Sequence, residues 1–179
     1  MRALLAVSRW IDRLNEQVGT IATWCVLIAV LISAGNALSR YAFSISSNAW
    51  LEIQWYLFGA MFMLGAAHTL RVNEHVRVDI IYGNLRPRLQ AWIDLLGGIL
   101  FLLPAVLIIG WLAWPYFIES YSRHELSNNA GGLIRWPAKL LLPVGFGLLA
   151  LQGVSEIIKR IGFLIGHAEL MPKYEKPLQ

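Results

Sequence analysis

The stretch QVGTIATWCVLIAVLISAGNALS, residues 17–39, decides the fold. Its 23 residues contain no Asp, Glu, Lys or Arg. About 20 such residues in a helix cross a hydrocarbon core of about 30 Å. Three further windows share this character: residues 53–70, 95–118 and 140–155. The last is short by charge count. Trp136 precedes it, Lys139 can extend its charge outward, and Ile157 and Ile158 prolong its apolar face, so a span over about 138–158 is expected. Runs such as Ile99 to Ile109 are apolar on every side, which suits a helix rather than the alternating strands of a barrel. The first window exceeds the apolar region of a signal peptide and is expected to remain as the first helix.

Composition agrees with this. Of 179 residues, 57% are hydrophobic and only 15% charged, against about 25% charged in a soluble chain. The expectation is an all-α integral membrane protein, one membrane domain over 1–179, with spans at about 17–39, 53–70, 95–118 and 138–158. The net charge of +4 does not point to nucleic acid, because the basic residues flank apolar segments and form no run. Cys25 has no second cysteine to pair with and reads as a buried thiol.

Orientation follows from the cations. Arg2, Arg9 and Arg13, the loop residues Arg71, Arg77, Arg86 and Arg88, and the tail residues Lys159, Arg160, Lys173 and Lys176 put 11 positive charges on one side. Arg40, Arg123, Arg135 and Lys139 put 4 on the other. The richer side marks the cytoplasm, so both termini are expected there. Leu85, Leu89, Trp92 and Leu96 recur at helical spacing behind Arg86-Pro87-Arg88. They predict a short cytoplasmic interfacial helix over about 86–94, or a straight extension of the third span. Pro104 and Pro143 are expected to kink the spans that contain them. Trp92, Trp136, Pro137 and Lys139 read as interface anchors.

Few polar groups lie at membrane depth. Asn36, Glu52, Gln54 and His68 all sit within about two turns of a span end and build no ion pathway. His68 is the one histidine inside a window, so a pair of axial haem ligands is not available. No metal spacing, nucleophile triad or nucleotide loop occurs, and no cofactor is expected in this chain. Gly97-Gly98, Gly145-Phe146-Gly147 and the stripe Ala29, Ser33, Ala37 read as places of close helix approach. These residues describe a subunit rather than a reaction centre.

The segment Asn73-Glu74-His75-Val76-Arg77-Val78-Asp79 resembles the signature of the small membrane subunit of tripartite ATP-independent periplasmic (TRAP) transporters, the DctQ family. Asn36 and Arg40 at the end of span one, Trp50-Leu51-Glu52 before span two, and Gly131-Gly132 with Trp136-Pro137 before span four occur in the order that the family shows. The resemblance covers about residues 10–165. One departure is visible. Many members have two acidic residues at the start of span two, where this chain has only Glu52 before Ile53 and Gln54.

The resemblance implies a non-enzymatic subunit of a bacterial inner-membrane complex. Its partners would be a large multi-span transport subunit, a periplasmic substrate-binding protein and membrane lipids. Any Na⁺ site would lie in the large subunit, and the cargo would be a small organic acid or related solute. Asn36, Arg40, Trp50, Glu52, Glu74, His75, Arg77 and Asp79 are then expected in subunit contacts or structural motifs, although Glu74 to Asp79 also fits a solvated turn. Arg123, His124, Glu125, Asn128 and Asn129 fit either an ordinary polar loop or a docking surface for the binding protein. The same architecture, with His68 and several tryptophans, leaves open the membrane anchor of a redox enzyme.

Overall fold

A computed structural model describes residues 1–73 and 82–167. Helix α1 spans Arg2–Phe43 and helix α2 spans Asn48–Val72. Helix α3, Pro87–Gly97, passes through a π-helical turn at Gly98–Leu102 into helix α4, Leu103–Ser122. Helix α5 spans Trp136–Leu164. Among the described residues there is no strand, only an isolated bridge between Leu126 and Ile134.

Local chemistry sets the helix ends. Ser44 and Asn73 adopt left-handed conformations (φ 56° and 60°) that stop α1 and α2, with their N–H groups bonded back to Arg40 and Leu70 carbonyls. Pro87 opens α3 behind the extended Arg86, where a missing N–H costs no helical bond. Pro137, the second residue of α5, likewise lies in a first turn where its missing N–H costs no helical bond. The π turn lies just before Pro104. Proline lacks the donor for an i→i−4 bond and crowds that carbonyl. The helix answers by widening, and the Leu103 N–H reaches Gly98 O.

Helix α5 is the hub, packing against α1, α2, α3 and α4, while α1 and α2 form the broadest pair. Two glycines permit the closest approaches. A Cβ on Gly19 would lie 2.6 Å from His68 Cγ, joining α1 to α2. A Cβ on Gly145 would lie 2.8 Å from the Met63 carbonyl, joining α5 to α2. Gly98 faces Ile157, whereas Gly97 and Gly147 meet nothing within 4 Å, so only part of the expected glycine packing occurs.

The bundle is apolar on the outside. Trp24, Leu31, Trp55, Phe62, Phe101 and Trp111 are all more than half exposed. Several of the most deeply buried side chains are polar: Ser8, Asn15, Gln152 and Ser155. Water would reverse this arrangement, whereas lipid favours it.

Among the described residues, three helical segments are long and apolar enough to cross a membrane: Arg2–Phe43, the continuous rod Pro87–Ser122, and Trp136–Leu164. Helix α2 falls outside that set. It is 25 residues long but carries Gln54, Trp55, Tyr56 and His68. The helices also outrun the expected spans, because backbone hydrogen bonding continues into charged sequence such as Arg2–Glu16. The segment at 86–94 is continuous with α4, the second of the two geometries expected for it. Leu89, Trp92 and Leu96 share its exposed face, while Ala91 and Leu95 are buried.

Candidate functional site

Polar groups gather at the two ends of the bundle. One end, the loop end, carries residues 123–135 between α4 and α5. Glu52, in the second turn of α2, reaches this loop and acts as its anchor. Its carboxylate accepts the Leu133 N–H at 2.6 Å, the Asn129 side-chain amide at 2.8 Å, and the Ser127 hydroxyl. Gly132 leaves room for this, since a Cβ there would collide with Ser127 and with Glu52 Oε1. Gly131 supplies the positive φ (71°) that the turn requires. Asn48 donates to Ala130 O and Tyr56 to Ile134 O, so three residues of α2 hold the loop.

The Leu133 N–H, then Ser127 and Asn129, hold the Glu52 carboxyl below its ordinary range. Glu125 is likewise held low, first by Lys139. Lys139 also lies 4.0 Å from the Tyr116 ring centre. Trp136 packs edge-on against Tyr121 and near Phe117, which ties the start of α5 to α4. Arg123, His124 and Asn128 are exposed on the outer surface of this fixed loop. The loop therefore offers a shaped polar surface rather than a loose tether.

Asn36 is buried and lines a recess with Gly35, Ser39, Ile45, Ser47 and Trp50. Arg40 is exposed and lies outside that recess. The structure thus brings Glu52 to Asn129, Glu125 to Lys139, and Asn36 to Trp50. Glu74, His75, Arg77 and Asp79 lie outside the described residues. Ala29 and Ser33 line an apolar groove between α1 and α2 with Gln54, Trp55, Phe58 and Met61.

The opposite end, where Arg2 and Leu164 lie, holds a network that sequence reasoning missed. Lys159 pairs with Asp12 at 2.9 Å and with Glu156 at 2.6 Å. Arg160, only 7% exposed, pairs with Glu156 at 3.0 Å and Asp94 at 3.1 Å. Tyr82 donates to Asp94 at 2.9 Å. Asn15 donates to Gln152 at 2.7 Å, and Gln152 donates to Asp12 and Glu156. Ser8 and Ser155 hydroxyls meet at 2.7 Å, and Ser155 also donates to Asp12. Burial raises the Asp12 carboxyl, but its bonds from Lys159, Gln152 and Ser155 outweigh this and leave it lowered.

A sequence signal for this network existed. Gln152, Ser155, Glu156 and Lys159 follow i, i+3, i+4, i+7 spacing, and Ser8, Asp12 and Asn15 follow i, i+4, i+7. Both stripes lie at or beyond the edges of the charge-free windows, where apolar content no longer marks the helix. A cavity of about 420 Å³ adjoins Asp94, Glu156 and Arg160, between α2, α3 and α5.

Comparison with known proteins gives one family. The model described as "Tripartite ATP-independent periplasmic transporters, DctQ component" matches residues 29–162. No curated protein and no solved structure matches the chain. The family match takes in α2, α3, α4 and the anchored loop, together with residues 29–43 of α1 and most of α5. The chain therefore belongs to the DctQ family, a component of tripartite ATP-independent periplasmic transporters.

Proposed function

We propose that this chain is the small membrane subunit of a TRAP-type secondary transporter. It packs on a large transport subunit as part of the static scaffold and helps dock a periplasmic substrate-binding protein. The complex takes up a small organic acid or related solute in a Na⁺-coupled process, with the substrate and Na⁺ sites in the large subunit. The family match over residues 29–162 carries this reading. The placement of polar groups supports it: they sit at the bundle ends, and the lipid-facing middle is apolar.

Four spans with both termini in the cytoplasm of a bacterial inner membrane belong to the same reading. Helix α2 is the fourth span, packed against α1 and α5 and long enough at 25 residues to cross with them. The excess of Lys and Arg on the terminal side orients the chain. The anchored loop then faces the periplasm, where Arg123, His124 and Asn128 are open to a soluble partner. The family assignment favours this reading over a redox anchor.

The test is uptake and association together. Deleting the gene in the native host abolishes binding-protein-dependent uptake, and the tagged chain co-purifies with a much larger polytopic protein in mild detergent. Full-rate uptake without the chain refutes the assignment, as does a haem- or flavin-bearing partner.

A further inference from the structure

Six arginines among the described residues have no carboxylate partner: Arg2, Arg9, Arg13, Arg40, Arg86 and Arg88. Five of them lie at the terminal end, on α1 and around the start of α3. The described carboxylates at that end are already engaged: Asp12 and Glu156 with Lys159, Asp94 and Glu156 with Arg160, and Glu16 with Arg71. Charge is thus segregated. Asp12, Asp94, Glu156 and their bases face inward between helices, Glu16 stays at the surface, and the remaining cations face out.

The ion-pair network also fixes depth. Both α1 and the α3–α4 rod run antiparallel to α5, since Ser8 meets Ser155 while Asn15 meets Gln152, and Asp94 meets Arg160 while Gly98 faces Ile157. Lys159 and Arg160 therefore hold Asp12 of α1 and Asp94 of α3 at one level. Two residues further from the spans, about 3 Å along each helix, stand Trp10 and Trp92. They are 62% and 50% exposed. Two exposed tryptophans thus share one depth on two separate helices, as they would at a membrane–water interface.

The arginines surround them. Arg9 and Arg13 flank Trp10 on α1, on the side turned away from the buried Ser8, Ile11 and Asn15. At 3.6 residues per turn, Arg88 stands on one flank of an exposed arc formed by Trp92, Leu96, Leu89 and Ile93, and the exposed, extended Arg86 immediately precedes that helix. A soluble polyanion would match the arginines but leave the tryptophans and leucines wet. An anion that carries an apolar tail satisfies both.

We propose that this end of the bundle selects anionic phospholipids, whose phosphates engage Arg9, Arg13, Arg86 and Arg88 while the acyl chains cover Trp10, Trp92 and the apolar arc of α3. The guanidinium fork suits a phosphate diester, and juxtamembrane arginines favour anionic leaflets. The inference rests on the membrane-spanning reading above but adds a headgroup preference that spanning alone does not require.

The test uses the full chain, purified in mild detergent with any membrane partner that accompanies it. Phosphatidylglycerol or phosphatidylcholine is added at equal mole fraction, and retained lipid is counted by native mass spectrometry. Retention favours phosphatidylglycerol by at least about fivefold, the preference expected of one engaged arginine. The variant R9Q/R13Q/R86Q/R88Q loses that preference, and the loop-end control R40Q/R123Q keeps it. None of the four substitutions breaks an ion pair among the described residues, and helical content by circular dichroism checks the fold. If that variant fails to fold, the salt dependence of the wild-type preference still decides, since an electrostatic preference falls as salt rises. Equal retention of the two lipids overturns the proposal while leaving membrane insertion intact. A preference that survives the fourfold variant, or that millimolar inorganic phosphate abolishes, overturns it as well, the latter by revealing a site for free anions.

Discussion

Glu52 accepts hydrogen bonds from groups 75 to 81 residues later in the chain. One carboxylate therefore fixes a whole loop, and Glu52→Gln should release it. The amide keeps the shape but replaces one acceptor oxygen with a donor that faces the Leu133 N–H or the Asn129 and Ser127 donors. Hydrogen exchange in peptides covering residues 126–134 should quicken by about tenfold or more, with helical peptides unchanged. The pH dependence has a definite sign. A carboxyl held below its ordinary range favours the folded loop at neutral pH, and that contribution is lost as pH falls through its lowered value. The wild-type loop should thus stay protected down to the ordinary glutamate range near 4.5 and loosen below it, a dependence that Glu52→Gln removes. Gly19 is the other residue with a decisive role. Gly19→Ala places a methyl 2.6 Å from His68 Cγ, so His68 or α2 must shift. A cost of about 1–3 kcal/mol is expected, read as a lowered midpoint of thermal denaturation in detergent. The sequence singled out Glu52 as a motif residue and Gly131-Gly132 as another, but it left their partnership open. A carboxylate and a loop so far apart in the chain show no spacing that links them.

Among the elements, α5 has the most unusual composition along its packed face. It presents Gln152, Ser155, Glu156, Lys159 and Arg160 toward α1 and α3 and glycines toward α2 and α4. Arg160 is the member with most at stake, because it is nearly fully buried and neutralises both Asp94 and Glu156. Arg160→Met keeps the apolar stem and leaves two carboxylates facing each other near one remaining lysine. Removing one partner of a buried pair costs about 3–5 kcal/mol. Arg160→Met should therefore lower the denaturation midpoint far more than Lys159→Met, whose side chain is more exposed. Equal effects would show that the network is solvated and weak. The helical pattern from Leu85 to Leu96 was legible, since it depends only on local spacing. Its continuity with α4 was one of two open geometries, and the π turn at Gly98–Leu102, which joins the segments without any break in sequence character, decides it.

Taken whole, the molecule has a polar network at one end, an anchored loop at the other, and an apolar belt between. Topology can be tested on this frame with single cysteines in a Cys25→Ser background. Asn128→Cys should react with a membrane-impermeant maleimide added to intact spheroplasts, and Arg2→Cys only after permeabilisation. Labelling of both before permeabilisation would place the N-terminus and the loop on the same face and, with α5 crossing after the loop, rule out an even number of spans. The sequence by itself determined the all-helical membrane class, the positions of the apolar windows, the charge asymmetry and the family resemblance. Each of these depends on properties that add up along the chain: side-chain transfer from water to hydrocarbon, and the count of cations at each end. The tertiary structure alone decided which polar residues meet. Glu52 finds its loop, and Asp12, Asp94 and Glu156 find Lys159 and Arg160, only once the helices have adopted a particular rotation and stagger. That arrangement is set by non-local contacts at Gly19 and Gly145, which no window of sequence contains.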